Sequence, residues 1–121
     1  MKILVIGAGG QLGRCIADQL IGVDQEIILA SRSEIDITDF YAARIKISHI
    51  NPDVVINASA YTAVDRAESE PEKADLINHL AVAHVAKVCA EIESLLIHVS
   101  TDYVFDGVAS SPYKEDEQTN P

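Results

Sequence analysis

Short, unbroken apolar runs alternate along the chain with stretches in which apolar residues recur every three or four positions. "KILVI" (2–6) has the pattern of a strand buried on both faces of a parallel sheet, and glycines end it. Residues 10–22 predict a helix, with Leu12, Ile16 and Leu20 on one face. "EIILA" (26–30) predicts a second strand. A helix from about 39 to 49 should follow, with Thr38 as its N-cap and Asn51-Pro52 as its stop. "DVVIN" (53–57) predicts a third strand. The long segment beginning "SEPEKADLINHLAV" carries Pro71 and acidic residues where a helix starts, and predicts a helix to about 92. "SLLIHVS" (94–100) predicts a fourth buried strand, and the polar tail "ASSPYKEDEQTNP" a loop. No internal repeat interrupts this alternation.

Four strands separated by helices predict an α/β fold, the N-terminal half of a Rossmann-like doubly wound parallel sheet. The strand order expected of it is that of the 3-2-1-4-5-6 sheet. Ligands bind such sheets at the carboxyl ends of the strands. The polar clusters after strands one, three and four should therefore face one crevice, with Thr101 and Asp102 at its edge.

The 121 residues suffice for one domain, and 48% hydrophobic with 23% charged residues is a globular balance. A net charge of −10 argues against nucleic acid as a partner, since phosphate contacts need a basic face. It leaves room for a small phosphorylated ligand held by backbone amides. The opening apolar run breaks at Gly7, too short for a secretory core or membrane span, so a cytoplasmic protein without membrane contact is expected. Cys15 and Cys89 fit that setting as two buried free thiols.

"GAGGQLG" joins the first strand to the first helix. Its spacing is GxxGxxG, through Gly7, Gly10 and Gly13, because Leu12 stands where GxGxxG needs its third glycine. A dinucleotide site needs a tight turn, close approach of backbone to a pyrophosphate, close helix–strand packing and the amides of a helix N-terminus. The alternative is a sharp turn and nothing more. The second strand ends without the acidic residue that grips the ribose of NAD. Ser31 and Arg32 suit a 2′-phosphate and so favour NADP, with NAD still possible; Arg32 can equally be a solvated charge, and Glu34 argues the other way. His79 and His84 are five apart, which is not the one-face spacing of a zinc helix, and His98 reads as a hydrogen-bonded core histidine. Asp102 and Asp106 flank a turn without further support for glycosidic chemistry. For Phe105, simple packing competes with a site role.

With "GAGGQLG", "DITD", "NASAYTAVDRAESEPEKA" and "STDYVFDG" in this order, the chain resembles the extended short-chain dehydrogenase/reductases. Within them it is similar to the reductases of nucleotide-linked 4-keto-6-deoxy sugars. The resemblance implies hydride transfer from NAD(P)H to the C4 ketone of a dTDP-sugar. It implies that Gly10, Gln11 and Leu12 meet the pyrophosphate, and that Asp36 and Ile37 border the adenine, unless Asp36 only helps to cap the next helix. Ala60, Tyr61 and Thr62 would run along the phosphates and nicotinamide ribose, although Thr62 can also be an N-cap. Val64, Asp65, Asp102, Tyr103 and Phe105 would lie beside the sugar nucleotide, and Thr101 would supply a catalytic hydroxyl. Ser59 replaces the more usual alanine.

The same resemblance places a catalytic tyrosine and lysine, YxxxK, soon after a proline positioned like Pro121, followed by a substrate domain. Residues 1–121 are thus expected to be the NAD(P)-binding domain alone, inactive in isolation, with the fourth strand as an exposed edge that pairs with a second copy. Two other functions share the motifs. One is a nucleotide-binding regulatory subunit like that of methionine adenosyltransferase; the other is a sugar-nucleotide epimerase or dehydratase.

Overall fold

The structure, a computed structural model, describes residues 1–120; Pro121, the last residue of the predicted loop, lies outside them. Four parallel strands form one sheet in the order β2-β1-β3-β4: β1 (Lys2–Ile6), β2 (Glu26–Ala30), β3 (Val54–Asn57) and β4 (Leu95–His98). Their ends are level. Ile6 pairs with Ala30 on one side and Asn57 on the other, and Asn57 pairs with His98. The loops that begin at Gly7, Ser31, Ala58 and Val99 therefore all leave from one edge of the sheet.

This order corrects the expected one. The third strand lies beside β1, on the side away from β2, and not outside β2. Burial gives the reason. Val54, Val55 and Asn57 are buried, so this strand needs a neighbour on both sides, whereas β2 leaves Glu26 and Leu29 exposed and suits an edge. A direct tie holds β3 in place: the Lys2 amide donates to the Asp53 carboxylate at 2.6 Å, and the Asp53 amide to the Lys2 carbonyl at 2.9 Å.

Because the chain turns back after β2, right-handed crossovers place its helices on opposite faces. α1 (Gln11–Gln19) covers one face, where Ile16 and Leu20 pack on Ile3, Val5 and Val54. α2 (Phe40–Ile50) and α5 (Ala81–Glu91) pack together on the other, closing the main core over Leu4, Ile6 and Val55. Ala81, Val85, Val88 and Cys89 follow i, i+4, i+7, i+8 and are all fully buried, the stripe that makes α5 amphipathic.

Several boundaries shift. α1 stops at Gln19, and a turn with Gly22 at φ +78° carries the chain to β2. Asp39, not Thr38, caps α2, its side chain accepting from the Ala42 amide at 3.0 Å. Thr38 is instead engaged by Asp36. Asn51 ends α2 in the left-handed conformation, φ 47°. A short α3 (Val64–Ala67) precedes α4 (Pro71–Asp75). The helix expected from Pro71 to about 92 is not uniform: a π turn, Leu76–Leu80, links α4 to α5. β4 has four residues instead of seven; it is the exposed edge strand expected of residues 1–121, so its side chains are not buried as the apolar run by itself suggested. Both cysteines are free, but Cys15 is exposed; the residue at that angle of α1 faces the crevice and not the sheet. No helix among the described residues is long and apolar enough to cross a membrane.

Candidate functional site

Each glycine of the first loop has a separate structural task. Gly7 sits at φ +81°, and a Cβ there would fall 2.8 Å from the Ser59 amide nitrogen, so the loops after β1 and β3 touch backbone to backbone. A Cβ on Gly13 would collide with the Gly7 carbonyl oxygen, which is the close helix–strand packing the spacing predicts. Gly10 is crowded only by the Gly7 oxygen at 3.3 Å and borders open space. No side chain caps α1 and no acidic residue lies in its first turn. Its N-terminal amides keep their donor capacity and positive dipole end for an anion at Gly10, Gln11 and Leu12.

Two clefts meet there, sharing Gly10 and Ala58–Ala60. The first, about 460 Å³, runs from Gly7 and Gly10 past Ser31 and Arg32 to Asp36 and Ile37. Ile35 and Ile37 are buried and form its floor. Between them Asp36 accepts from the Thr38 hydroxyl at 2.6 Å, the Thr38 amide at 2.9 Å and Arg32 Nε at 3.1 Å. Those bonds, the Thr38 hydroxyl first, hold the Asp36 carboxyl below its usual range. Asp36 thus shapes its own loop and does not cap α2. Beside it, Glu34 Oε2 accepts from both the Ser31 amide and the Ser31 hydroxyl at 2.7 Å, which lowers the Glu34 carboxyl as well.

The second cleft, about 800 Å³, is bounded by Gln11, Leu12, Tyr61, Thr62 and Val64 on one side and by Thr101, Asp102 and Tyr103 on the other. Thr101 Oγ1 accepts from the Tyr103 amide at 3.2 Å, starting a single 3-10 turn over Asp102–Val104. That turn presents Tyr103 to the cleft. Thr62 lines the cleft as well; the N-cap of α3 is Ala63, without a side-chain bond. Gly13, Asp65 and Phe105 line neither cleft. Phe105 stacks on Tyr113 with centroids 4.4 Å apart, and Tyr113 donates to Asp106 at 2.7 Å, so this pair fastens the tail. His98 is half-buried and borders the cleft, its Nδ1 3.3 Å from Asn57 Nδ2, so it is no core histidine. His84 stacks on Phe40 and bonds its carbonyl, and His79 pairs with Asp75. Among the described residues no three His, Cys, Asp or Glu side chains gather as metal ligands.

Two asparagines that the motif reading passed over hold the crevice together. Asn57 is fully buried at the end of β3, and its Oδ1 accepts from the Ser59 amide at 3.0 Å, setting the Ala58–Ala60 turn. Asn78, in the π turn, accepts from the Tyr61 amide at 2.8 Å and donates to the Tyr61 carbonyl at 3.1 Å. The wider turn aims Ile77 at the first cleft and Asn78 at the second. Tyr61 is fixed at its other end too. Its hydroxyl donates to Glu70 at 2.6 Å, which raises the phenol above its ordinary value, and Lys73 bonds Glu70 while lying 5.3 Å over the ring. The signal for both asparagines was a lone polar residue in an otherwise apolar strand or helix stripe.

With this geometry in place, comparison with known proteins is decisive. Residues 1–121 match the family described as the RmlD substrate binding domain. The chain belongs to that family. It is 45% identical over 121 residues to dTDP-4-dehydrorhamnose reductase of Mycolicibacterium smegmatis, covering 99% of this chain and 36% of the relative. Among solved structures, a dTDP-4-dehydrorhamnose reductase from Clostridium acetobutylicum superposes with a TM-score of 0.95 at 40% identity, covering 100% of this chain and 43% of that one. The enzyme of the same name from Bacillus anthracis, solved in complex with NADP, gives 0.94 at 32% identity over 99% of this chain and 43% of that one. The chain spans about two fifths of the length of the curated relatives it matches.

Proposed function

We propose that residues 1–121 are the NAD(P)-binding domain of a cytoplasmic reductase that converts dTDP-4-dehydro-6-deoxy-L-mannose to dTDP-L-rhamnose. The observation that carries this reading is the meeting of the glycine turn, the Ala58–Ala60 loop and Thr101 around two joined clefts. The pair is elongated, as a dinucleotide is. Uncapped amides stand at its middle, where a pyrophosphate would lie, and an apolar floor with a carboxylate stands at one end, where adenosine would lie. The residues fit NADP, and they fit NAD. The bound cofactor would supply the hydride.

The roles of this chain's own residues follow from their places. Gly10, Gln11 and Leu12 hold the pyrophosphate through the α1 N-terminus, and Asp36 and Ile37 border the adenine. The Ala60–Thr62 backbone, held by Asn78, guides the chain of phosphate and ribose into the second cleft. Val64, Asp102 and Tyr103 meet the sugar nucleotide, while Thr101 presents a hydroxyl to the reacting carbonyl. On this reading a tyrosine and lysine of a YxxxK pair would protonate the ketone oxygen and hold the nicotinamide ribose, and neither is among residues 1–121.

The test is a calorimetric titration of NADPH and NADH into the full-length protein, followed by an assay of NADPH oxidation with the dTDP-ketosugar. Binding and turnover are expected. Binding without turnover would replace the enzyme with the regulatory reading, and no binding would remove both.

A further inference from the structure

Ser31 directly follows the second strand, and no acidic residue stands there to hold the ribose hydroxyls of NAD. The structure nevertheless brings one to that spot. Glu34 lies three residues further on, and the turn through Arg32 and Ser33 folds it back: its amide donates to the Ser31 carbonyl at 3.0 Å, and its Oε2 accepts from the Ser31 amide and hydroxyl. Only one half of a capping box is made, the carboxylate reaching back to the Ser31 amide; the Ser31 hydroxyl donates to Glu34 and does not accept from its amide. We propose that Glu34 sets the preference between NADH and NADPH, holding with its own carboxylate the donors that a 2′-phosphate would need. This rests on the cofactor reading given above.

At this end of the first cleft the Ser31 donors and Arg32 Nε are engaged within the chain, while the terminal nitrogens of Arg32 have no partner among the described hydrogen bonds. Ser31 gives both its amide and its hydroxyl to Glu34, and the hydroxyl also lies 2.9 Å from Ser33 Oγ. Arg32 Nε is paired with Asp36 at 3.1 Å. Lys46, the other cation nearby, is turned to the Glu34 main-chain carbonyl. A 2′-phosphate using Ser31 must displace Glu34, and one drawn to the terminal nitrogens of Arg32 lies close to two ionised carboxylates. A 2′-hydroxyl faces the opposite situation. It is a donor, and Glu34 Oε1 has no partner among the described hydrogen bonds, so the hydroxyl can join the existing network without breaking it. Ser31, taken from sequence as half of a phosphate grip, is thus already closed on an internal acid, and only the terminal nitrogens of Arg32 stay open to a phosphate.

The experiment is to titrate NADH and NADPH separately into the full-length protein and into its Glu34→Gln and Glu34→Ala variants. Removing one negative charge a few ångström from a phosphate is expected to raise the NADPH:NADH affinity ratio on the order of tenfold. Arg32→Ala added to Glu34→Gln should then cost NADPH more than NADH, because the Arg32 guanidinium is the cation a 2′-phosphate would meet there. If Glu34 serves only to shape the loop, both affinities fall together and the ratio stays put, which overturns the proposal. A wild-type protein that binds neither cofactor would instead overturn the cofactor reading, and this proposal with it.

Discussion

Around the first cleft, polar groups are answered from within the chain: Asp36 by Thr38 and Arg32, Glu34 by Ser31, Ser59 by Asn57. The second cleft is answered on one side only. Asn78, Glu70 and Lys73 fix the Tyr61 loop, but across from it β4 leaves Leu95, Ile97 and Val99 61%, 45% and 50% exposed; Leu95 and Ile97 lie on the α1 face of the sheet, level with Val54 and Ile56, but beyond the strands that α1 covers. Thr101 and Tyr103 follow from this half-covered strand. The difference teaches where each half gets its shape. The first cleft is set by local turns after β2 and β3 that are bonded within themselves, whereas the second depends on whatever lies against β4.

The sharpest way to separate the two halves is to cut one function from each. In the full-length protein, Thr101→Val should lower turnover about 10²–10³-fold while leaving cofactor affinity nearly unchanged, with Thr101→Ser recovering most of the rate. Steady-state kinetics beside calorimetry reads both; an unchanged turnover would leave Thr101 as the cap of its 3-10 turn and nothing more. The converse cut is Gly10→Val, which puts a side chain where the pyrophosphate would lie. It should weaken both cofactors by about 100-fold, a loss of roughly 2.7 kcal/mol, at a cost to the fold near 1 kcal/mol.

Gly13→Ala belongs beside it as the structural control. Its Cβ meets backbone and not open space, so it should cost about 3 kcal/mol of stability by urea denaturation. Equal stability losses for the two glycine variants would erase the distinction between a packing glycine and a binding one.

The bare face of β4 is tested more gently. The 121-residue polypeptide alone should elute above its monomer size through strand pairing or apolar contact. Leu95→Lys with Ile97→Lys should return it to monomer, since both side chains are already exposed and their loss spares the core. A monodisperse wild-type monomer would sink the idea.

The smallest effect is acid sensitivity, which both halves share. Asp36 and Glu34 in the first, and Glu70 and Asp106 near the second, all have carboxyls lowered in the folded chain by bonds from Thr38, Ser31, Tyr61 and Tyr113. A lowered folded value means stability that is full above the unfolded carboxylate range and lost as protons return. Unfolding curves should therefore be flat from about pH 7 to 5 and shift to lower denaturant below about pH 4. A rise in stability on acidification would contradict these bonds.

Much of this molecule could be read before its structure was seen, and the reasons are local. An unbroken apolar run such as "KILVI" has few alternatives to a doubly buried strand, and Pro71 and Asn51 mark a helix start and a helix end by backbone sterics alone. The glycine spacing indicated a turn, an approach and a packing contact; Gly7 makes the turn and Gly13 the packing contact, while Gly10 borders open cleft. Residues brought together by strand order were less legible. Asp65 and Phe105 were placed by likeness to a motif, and the structure turns them away from both clefts.

By itself, then, the sequence determined the alternation of strands and helices, the parallel sheet and the positions of the loops at its carboxyl edge, because each depends on periodicity and backbone conformation within a few residues. Tertiary structure decided which strand lies beside β1, that Asn57 and Asn78 hold the crevice, and that Glu34 turns back onto Ser31. Those outcomes depend on burial and on hydrogen bonds between residues brought together by packing. Asn78 meets Tyr61 across 17 positions of sequence, and Asn57 meets His98 across 41, distances over which no local pattern carries information.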